Sequence, residues 1–264
     1  MAEVIYPPRP RGRINPASLS LYELTGDWVA QRKFGDTRTL LHIEPGLVVS
    51  AWSRRRGSLE PLALPEGVQK EIRENLRSDG NLEYWIDGGV MNGHKDVGCH
   101  MVFWDVLQAG RYFYLGPDQM TRLKMLADIC GNPAQVDTNG IALLISQHLC
   151  MAETFERNFV KRFEEAYNDD RLEGLVLRRK SSTLDNPGKG YYEVNWLMRC
   201  RKPTSGFTKH MAALAGATGN LLLRLKPQRA RHETIGDFSF GDPTPHLEKV
   251  CIERLAPLQR SNIT

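Results

Sequence analysis

Apolar runs set between turn residues restrict this chain to a sheet-based fold. From Asp27 to Ser53 the runs WVA, TLLHI and LVVSAW alternate with turn residues, Glu44-Pro45-Gly46 among them, in a strand-and-hairpin pattern. Leu82 to Val90 and Gly98 to Leu107 are β-rich and flank Asn92-Gly93, a dipeptide suited to a hairpin turn. Arg111 to Leu115, Gly174 to Arg178 and Glu193 to Cys200 add strands, and Ile141 to Leu149 has strand character. Helical spacing interrupts this pattern. Val68 to Leu76 predicts a short helix. From Pro117 to Cys130, Met120, Leu123, Met125, Leu126 and Ile129 supply the apolar positions, with Pro117 suited to the start and Gly131 to the stop. Ala152 to Tyr167 predicts the clearest helix, with Phe155, Phe159, Phe163 and Tyr167 at four-residue intervals facing the core. Helices set between antiparallel strands predict an α+β fold rather than a doubly wound parallel one.

A length of 264 residues allows one large domain, or a main domain with an appendage. Residues 1–20 hold four prolines and a basic leader (Arg9, Arg11, Arg13), and read as an extended arm. A main domain is expected over residues 21–205. After Pro203 the character changes, and residues 206–264 read as a short C-terminal appendage. No apolar run approaches the roughly 18–20 residues that span a bilayer, so no membrane partner is expected. The N-terminus lacks the apolar centre of a secretory signal. The five cysteines are scattered, without a CxxC pair, which points to a reducing, cytoplasmic compartment rather than a disulfide framework or structural zinc. The net charge of +4 is mild, but it is clustered. Arg54-Arg55-Arg56, Arg178-Arg179-Lys180 and Arg199, Arg201, Lys202 form three basic knots beside candidate motifs, a placement suited to phosphate contact.

Five segments carry the chemistry. The first holds Lys33 and Arg38 in QRKFGDTR; the second is YWIDGG, with Asp87; the third is MVFWDVL followed by Gly110-Arg111-Tyr112; the fourth is EGLVLR, starting at Glu173; the fifth is WLMRCRKP. In this order and spacing they resemble the nucleotidyltransferase motifs of ATP-dependent DNA and RNA ligases and mRNA capping enzymes, in the style of small phage-type ligases. The resemblance covers roughly residues 25–205, and the third and fourth motifs are its most specific parts.

The resemblance implies a ligase adenylation-domain fold of mainly antiparallel sheets with flanking helices. It implies ATP and Mg²⁺ as cofactors and nicked duplex DNA or RNA as partner, in a monomer. By the same resemblance Lys33 is the nucleophile whose amine attacks the α-phosphate, and it must be unprotonated to do so. Arg38 and Asp87 belong to the nucleotide site, and Trp104 is the aromatic against the purine. Glu173 is the metal-binding carboxylate, a donor type that suits Mg²⁺. Arg199 and Arg201 stand where the family has Lys-x-Lys, with Lys202 as the alternative register, and these cations would neutralise the developing phosphate charge. One of Arg54, Arg55 and Arg56 matches an arginine that follows a serine, here Ser53, and the three are assigned to nucleic-acid binding.

The chain departs from the pattern in several places. The usual Lys-x-Asp-Gly reads Lys33-Phe34-Gly35-Asp36, with the last pair inverted. Asp-Gly-Glu becomes Asp87-Gly88-Gly89, which removes an acid. The tail of about sixty residues is short for an OB module. The basic arm, the tail, or a protein partner or clamp would then supply the grip. The favoured expectation is an ATP-dependent polynucleotide ligase, with DNA preferred over RNA. A capping-type nucleotidyltransferase and a catalytically weakened binding module of the same fold are the alternatives.

Overall fold

In the computed structural model, which describes residues 6–55, 58–91, 100–110, 116–136, 140–184 and 192–202, the strands gather into two sheets. The described strands are β1 (Arg9–Arg13), β2 (Trp28–Phe34), β3 (Asp36–Glu44), β4 (Val48–Arg55), β5 (Ser58–Pro61), β6 (Tyr84–Met91), β7 (Met101–Ala109), β8 (Leu143–Leu144), β9 (Leu149–Met151), β10 (Thr154–Phe155), β11 (Leu172–Arg179) and β12 (Glu193–Arg201). The described helices are α1 (Leu19–Thr25), α2 (Glu66–Asn75), α3 (Gln119–Ile129) and α4 (Phe159–Asn168). One sheet runs β1-β12-β11-β2-β10 and the other β5-β4-β3-β6-β7-β9-β8. Pairing is antiparallel except at β1–β12 and β7–β9. The architecture is α+β with mainly antiparallel sheets, as the sequence predicts.

Strand alternation sorts side chains between layers. Trp28, Ala30, Leu175 and Leu177 turn outward from the five-stranded sheet onto Leu19 of α1 and Phe159 and Phe163 of α4. Leu41 and Ile43 turn outward from the seven-stranded sheet onto Val68 and Ile72 of α2 and Leu126 and Ile129 of α3. On the inner side, Leu40, Trp85 and Leu107 meet Val194, Trp196 and Leu197 from β12. The chain crosses from one sheet to the other between Phe34 and Asp36, so the KFGD segment sits at the crossing.

A local signal sets the start of α3. Asp118 caps α3 by accepting a hydrogen bond from the Thr121 amide at 2.8 Å, one residue after Pro117. The helix expected over 152–167 begins only at Phe159. Thr154 and Phe155 instead extend the five-stranded sheet, with Phe155 opposite Ala30. Residues 9–13, expected as an arm, are extended and lie along β12, with the Ile14 amide donating to the Arg199 carbonyl at 2.9 Å. The Asn92-Gly93 turn, the Arg111–Leu115 strand and the appendage over 206–264 lie outside the described residues. Cys130, Cys150 and Cys200 are free and buried, and burial pushes the thiols of Cys130 and Cys200 up. No helix among the described residues is long and apolar enough to cross a membrane.

Candidate nucleotide site

Strand register places the first, fourth and fifth motifs side by side. Gly174 of β11 lies opposite Lys33 of β2 on one side and Arg201 of β12 on the other. In the next cross-strand row, Val176 separates Gln31 from Arg199. β11 carries a bulge against β2: Leu172 pairs with Phe34 and Gly174 with Lys33, leaving Glu173 without an opposite residue. A bulge re-aims the extra side chain, and here Glu173 Oε2 receives the Lys33 ammonium at 2.6 Å and the Arg201 guanidinium at 3.4 Å. Gly174 makes this possible. Its φ is +130°, and a Cβ there would collide with the Cys200 carbonyl oxygen of the neighbouring strand.

The seven-stranded sheet supplies the opposing wall. Arg38 donates from Nε to Asp87 Oδ1 at 2.9 Å, makes a second bond through Nη2 to Oδ2, and donates from Nη1 to the Pro8 carbonyl at 3.0 Å. Burial works against the Arg38 charge, but the Asp87 carboxylate outweighs it and holds the guanidinium above its usual value. Asp87 is itself buried, and its carboxylate is taken up by Arg38. Trp104 sits on a second bulge. Asp87 pairs with Asp105 and Gly88 with Phe103, leaving Trp104 unopposed on β6. It is a partly buried side chain on a strand whose other members are mostly buried. Beside it, Asp36 is partly buried, and burial raises its carboxyl to about 6 against the lowering influence of Lys33 and Arg38.

Arg199 donates to the Pro10 carbonyl at 3.2 Å. Its guanidinium is held below the usual arginine value by burial, then by the nearby cations Arg201, Arg13 and Arg9. The fifth motif thus presents Arg201 to Glu173, whereas the Lys202 ammonium donates to the Asp169 carbonyl at 2.5 Å. Arg54 and Arg55 end β4, and Arg56 lies outside the described residues. A divalent cation would find the Glu173 carboxylate here, with Asp36 in its electrostatic reach and Asp87 taken up by Arg38. Among the described residues no three His, Cys, Asp or Glu side chains form a metal cage. That donor set fits Mg²⁺ shared between a protein oxygen, waters and phosphate oxygens.

The structure adds a network that the sequence reading lacks. Asp105 accepts from Arg178 Nη1 at 2.9 Å and from Arg122 Nε at 3.2 Å. Arg178 Nε donates to Gln31 Oε1 at 2.9 Å, and Gln31 Nε2 donates to the Trp104 carbonyl at 3.2 Å. This network joins β2 and β11 of one sheet to β7 of the other. It also corrects the reading of Arg178-Arg179-Lys180 as a phosphate-contacting knot. Arg178 points inward and is buried, Arg179 lies over the Trp28 ring, and Lys180 pairs with Glu156 at 2.8 Å. Alternation along β11 sends successive cations to different faces.

No family model matches the chain, and no curated protein does. Solved structures do. One described as "Pmar-Lig_Pre." matches at 15% identity over 75% of this chain and 47% of its own, with a TM-score of 0.49. A second, "Pmar-Lig_PreS3", matches at 14% identity over 72% of this chain and 46% of its own, with a TM-score of 0.46. A third, from "DNA binding with a minimal scaffold: Structure-function analysis of Lig E DNA ligases", matches at 13% identity over 75% of this chain and 70% of its own, with a TM-score of 0.40. The chain spans about half the length of the first two.

Proposed function

We propose that this chain is an ATP-dependent polynucleotide ligase, with nicked duplex DNA as the preferred substrate and RNA as the second. The observation that carries this reading is the row Lys33–Gly174–Arg201 with Glu173 turned onto the Lys33 amine. It gathers a nucleophile, a hard oxygen donor and a phosphate cation from three separate strands.

In the first step the Lys33 ammonium releases a proton to solvent and its contact with Glu173, Nζ attacks the α-phosphorus of ATP, and the nitrogen releases a second proton to solvent as the phosphoramidate forms. The N–P bond forms, the bond to the β-phosphate oxygen breaks, and pyrophosphate leaves. Arg201 and Arg199 are placed to neutralise charge growing on the α-phosphate, and Trp104 offers a face for the base. Arg38, fixed by Asp87, would contact the nucleotide. Mg²⁺ held by Glu173 would supply further charge neutralisation at the phosphates. A 5′-phosphate oxygen of the nick then attacks the lysyl-AMP phosphorus, which frees Lys33. A 3′-hydroxyl attacks the activated 5′-phosphate and releases AMP.

The test is incubation with α-labelled ATP, and in parallel GTP, plus Mg²⁺. Wild type should carry a denaturation-stable label from ATP and Lys33→Ala none. If wild type, shown by mass spectrometry to be free of AMP, takes label from neither nucleotide, covalent chemistry is excluded. Supplying pre-adenylated nicked DNA and RNA reads the sealing step separately.

A further inference from the structure

Two irregularities of the sequence meet in space. The acid of the KFGD segment comes one position later than the resembled pattern has it, and the DGG segment ends without one. β3 and β6 pair with Asp36 opposite Met91 and Arg38 opposite Gly89, so Asp36, Arg38 and Gly89 share the inner face. A Cβ on Gly89 would lie 2.5 Å from Asp36 Oδ2, 2.8 Å from Asp36 Cβ and 2.7 Å from Trp104 Cη2. The Asp36 carboxylate therefore covers the point from which a side chain at 89 would leave the strand, at the edge of the Trp104 ring.

Its surroundings identify what it can bind. Lys33 and Arg38 are its attractive neighbours, and Glu173 and Asp87 its repulsive ones. Among the described residues no side-chain hydrogen bond ends on its carboxylate, whereas the Asp87 carboxylate is taken up by Arg38. In a nucleotide whose base lies on Trp104 and whose α-phosphate lies at Lys33, the atoms between are the ribose. A carboxylate at the rim of the base platform, facing Lys33, meets the sugar hydroxyls, which are donors a carboxylate accepts well.

We propose that Asp36 is the ribose-binding acid of this site, accepting hydrogen bonds from the 2′- and 3′-hydroxyls of ATP in the place that Gly89 leaves open. This rests on the nucleotide site proposed above and assigns it a residue from a different strand. Gly89 is then a requirement, because any side chain there displaces Asp36 or Trp104.

The test measures equilibrium binding of ATP and of 2′,3′-dideoxy-ATP, in a Lys33→Ala background where nucleotide binds without reacting. Asp36→Ala should weaken ATP about tenfold or more, the scale of a hydrogen bond to a charged group, and dideoxy-ATP less than about twofold. Equal losses for both nucleotides, or no loss for either, overturn the assignment of Asp36 while leaving the ligase reading intact. Failure of the Lys33→Ala parent to bind ATP, with no label on wild type, overturns both. Asp36→Asn, which keeps the shape, repeats the comparison should the alanine variant not fold.

Discussion

Two charged clusters lie between the sheets, each with two cations on one acid but with different access to solvent. In one, the side chains of Asp105, Arg122 and Arg178 are 1%, 0% and 4% exposed. In the other, those of Lys33, Glu173 and Arg201 are 15%, 35% and 39% exposed. Buried charges are costly unless each is paired, and a pair once buried is costly to break. Partly exposed charges are cheap to part and so can be offered to a ligand. The first cluster clamps the sheets and the second is the candidate site, and the difference between them lies in burial.

Removing the buried acid breaks this contrast most severely. Asp105→Asn leaves two buried guanidiniums facing one uncharged amide, and should cost about 3–5 kcal/mol in urea unfolding. A cost under about 1 kcal/mol would mean that the network does not hold the sheets together. Arg201→Ala tests the other cluster. It should leave stability within about 1 kcal/mol of wild type yet slow lysyl-AMP formation by about 10²–10³, the scale of losing one preorganised charge-stabilising donor. An Arg201→Ala chain that labels at the wild-type rate would shift the phosphate role to Arg199 or Lys202.

Trp104 stands between the clusters, its carbonyl tied to the clamp through Gln31 and its ring facing the site. Trp104→Ala should cost about 1–3 kcal/mol in nucleotide affinity, and Trp104→Phe should recover much of it, since stacking depends on an aromatic face. Isothermal titration with ATP measures both. Unchanged affinity in the alanine variant would make Trp104 a packing residue only.

How much of this was legible in the sequence follows the same division. Apolar runs set between turn residues disclosed β2, β3, β4, β6 and β7, and local caps disclosed α3. The start of α4 was hidden because its cap is not local: Glu23, 135 and 136 positions away in sequence, accepts from the amides of Asn158 and Phe159. Four-residue spacing therefore carried Phe155 into a helix it does not join. The clamp was hidden for a related reason, since a run of three cations on a strand looks uniformly basic until alternation turns Arg178 inward onto an acid 73 positions away. Within the site, the motifs named Glu173 and Trp104, but the two bulges that aim them depend on neighbouring strands and leave no local signature.

Asp36 gives the most discriminating effect, because burial works against its charge. Its pKa is raised from 3.8 to about 6, with desolvation as the main cause. A carboxyl whose folded pKa is raised favours the folded state while it is protonated. That advantage is complete below about pH 4 and is lost as pH rises through 6. Wild type should therefore lose stability relative to Asp36→Asn across this window, and the variant should be the more stable by about 1–3 kcal/mol at pH 7. Urea unfolding at pH 4.5 and pH 7 reads the difference; a gap that stays constant with pH would place the Asp36 carboxyl in ordinary solvent. A gain in stability together with weakened ATP binding is the signature of a group whose place is set by the ligand, in contrast to Asp105, whose loss should cost the fold itself.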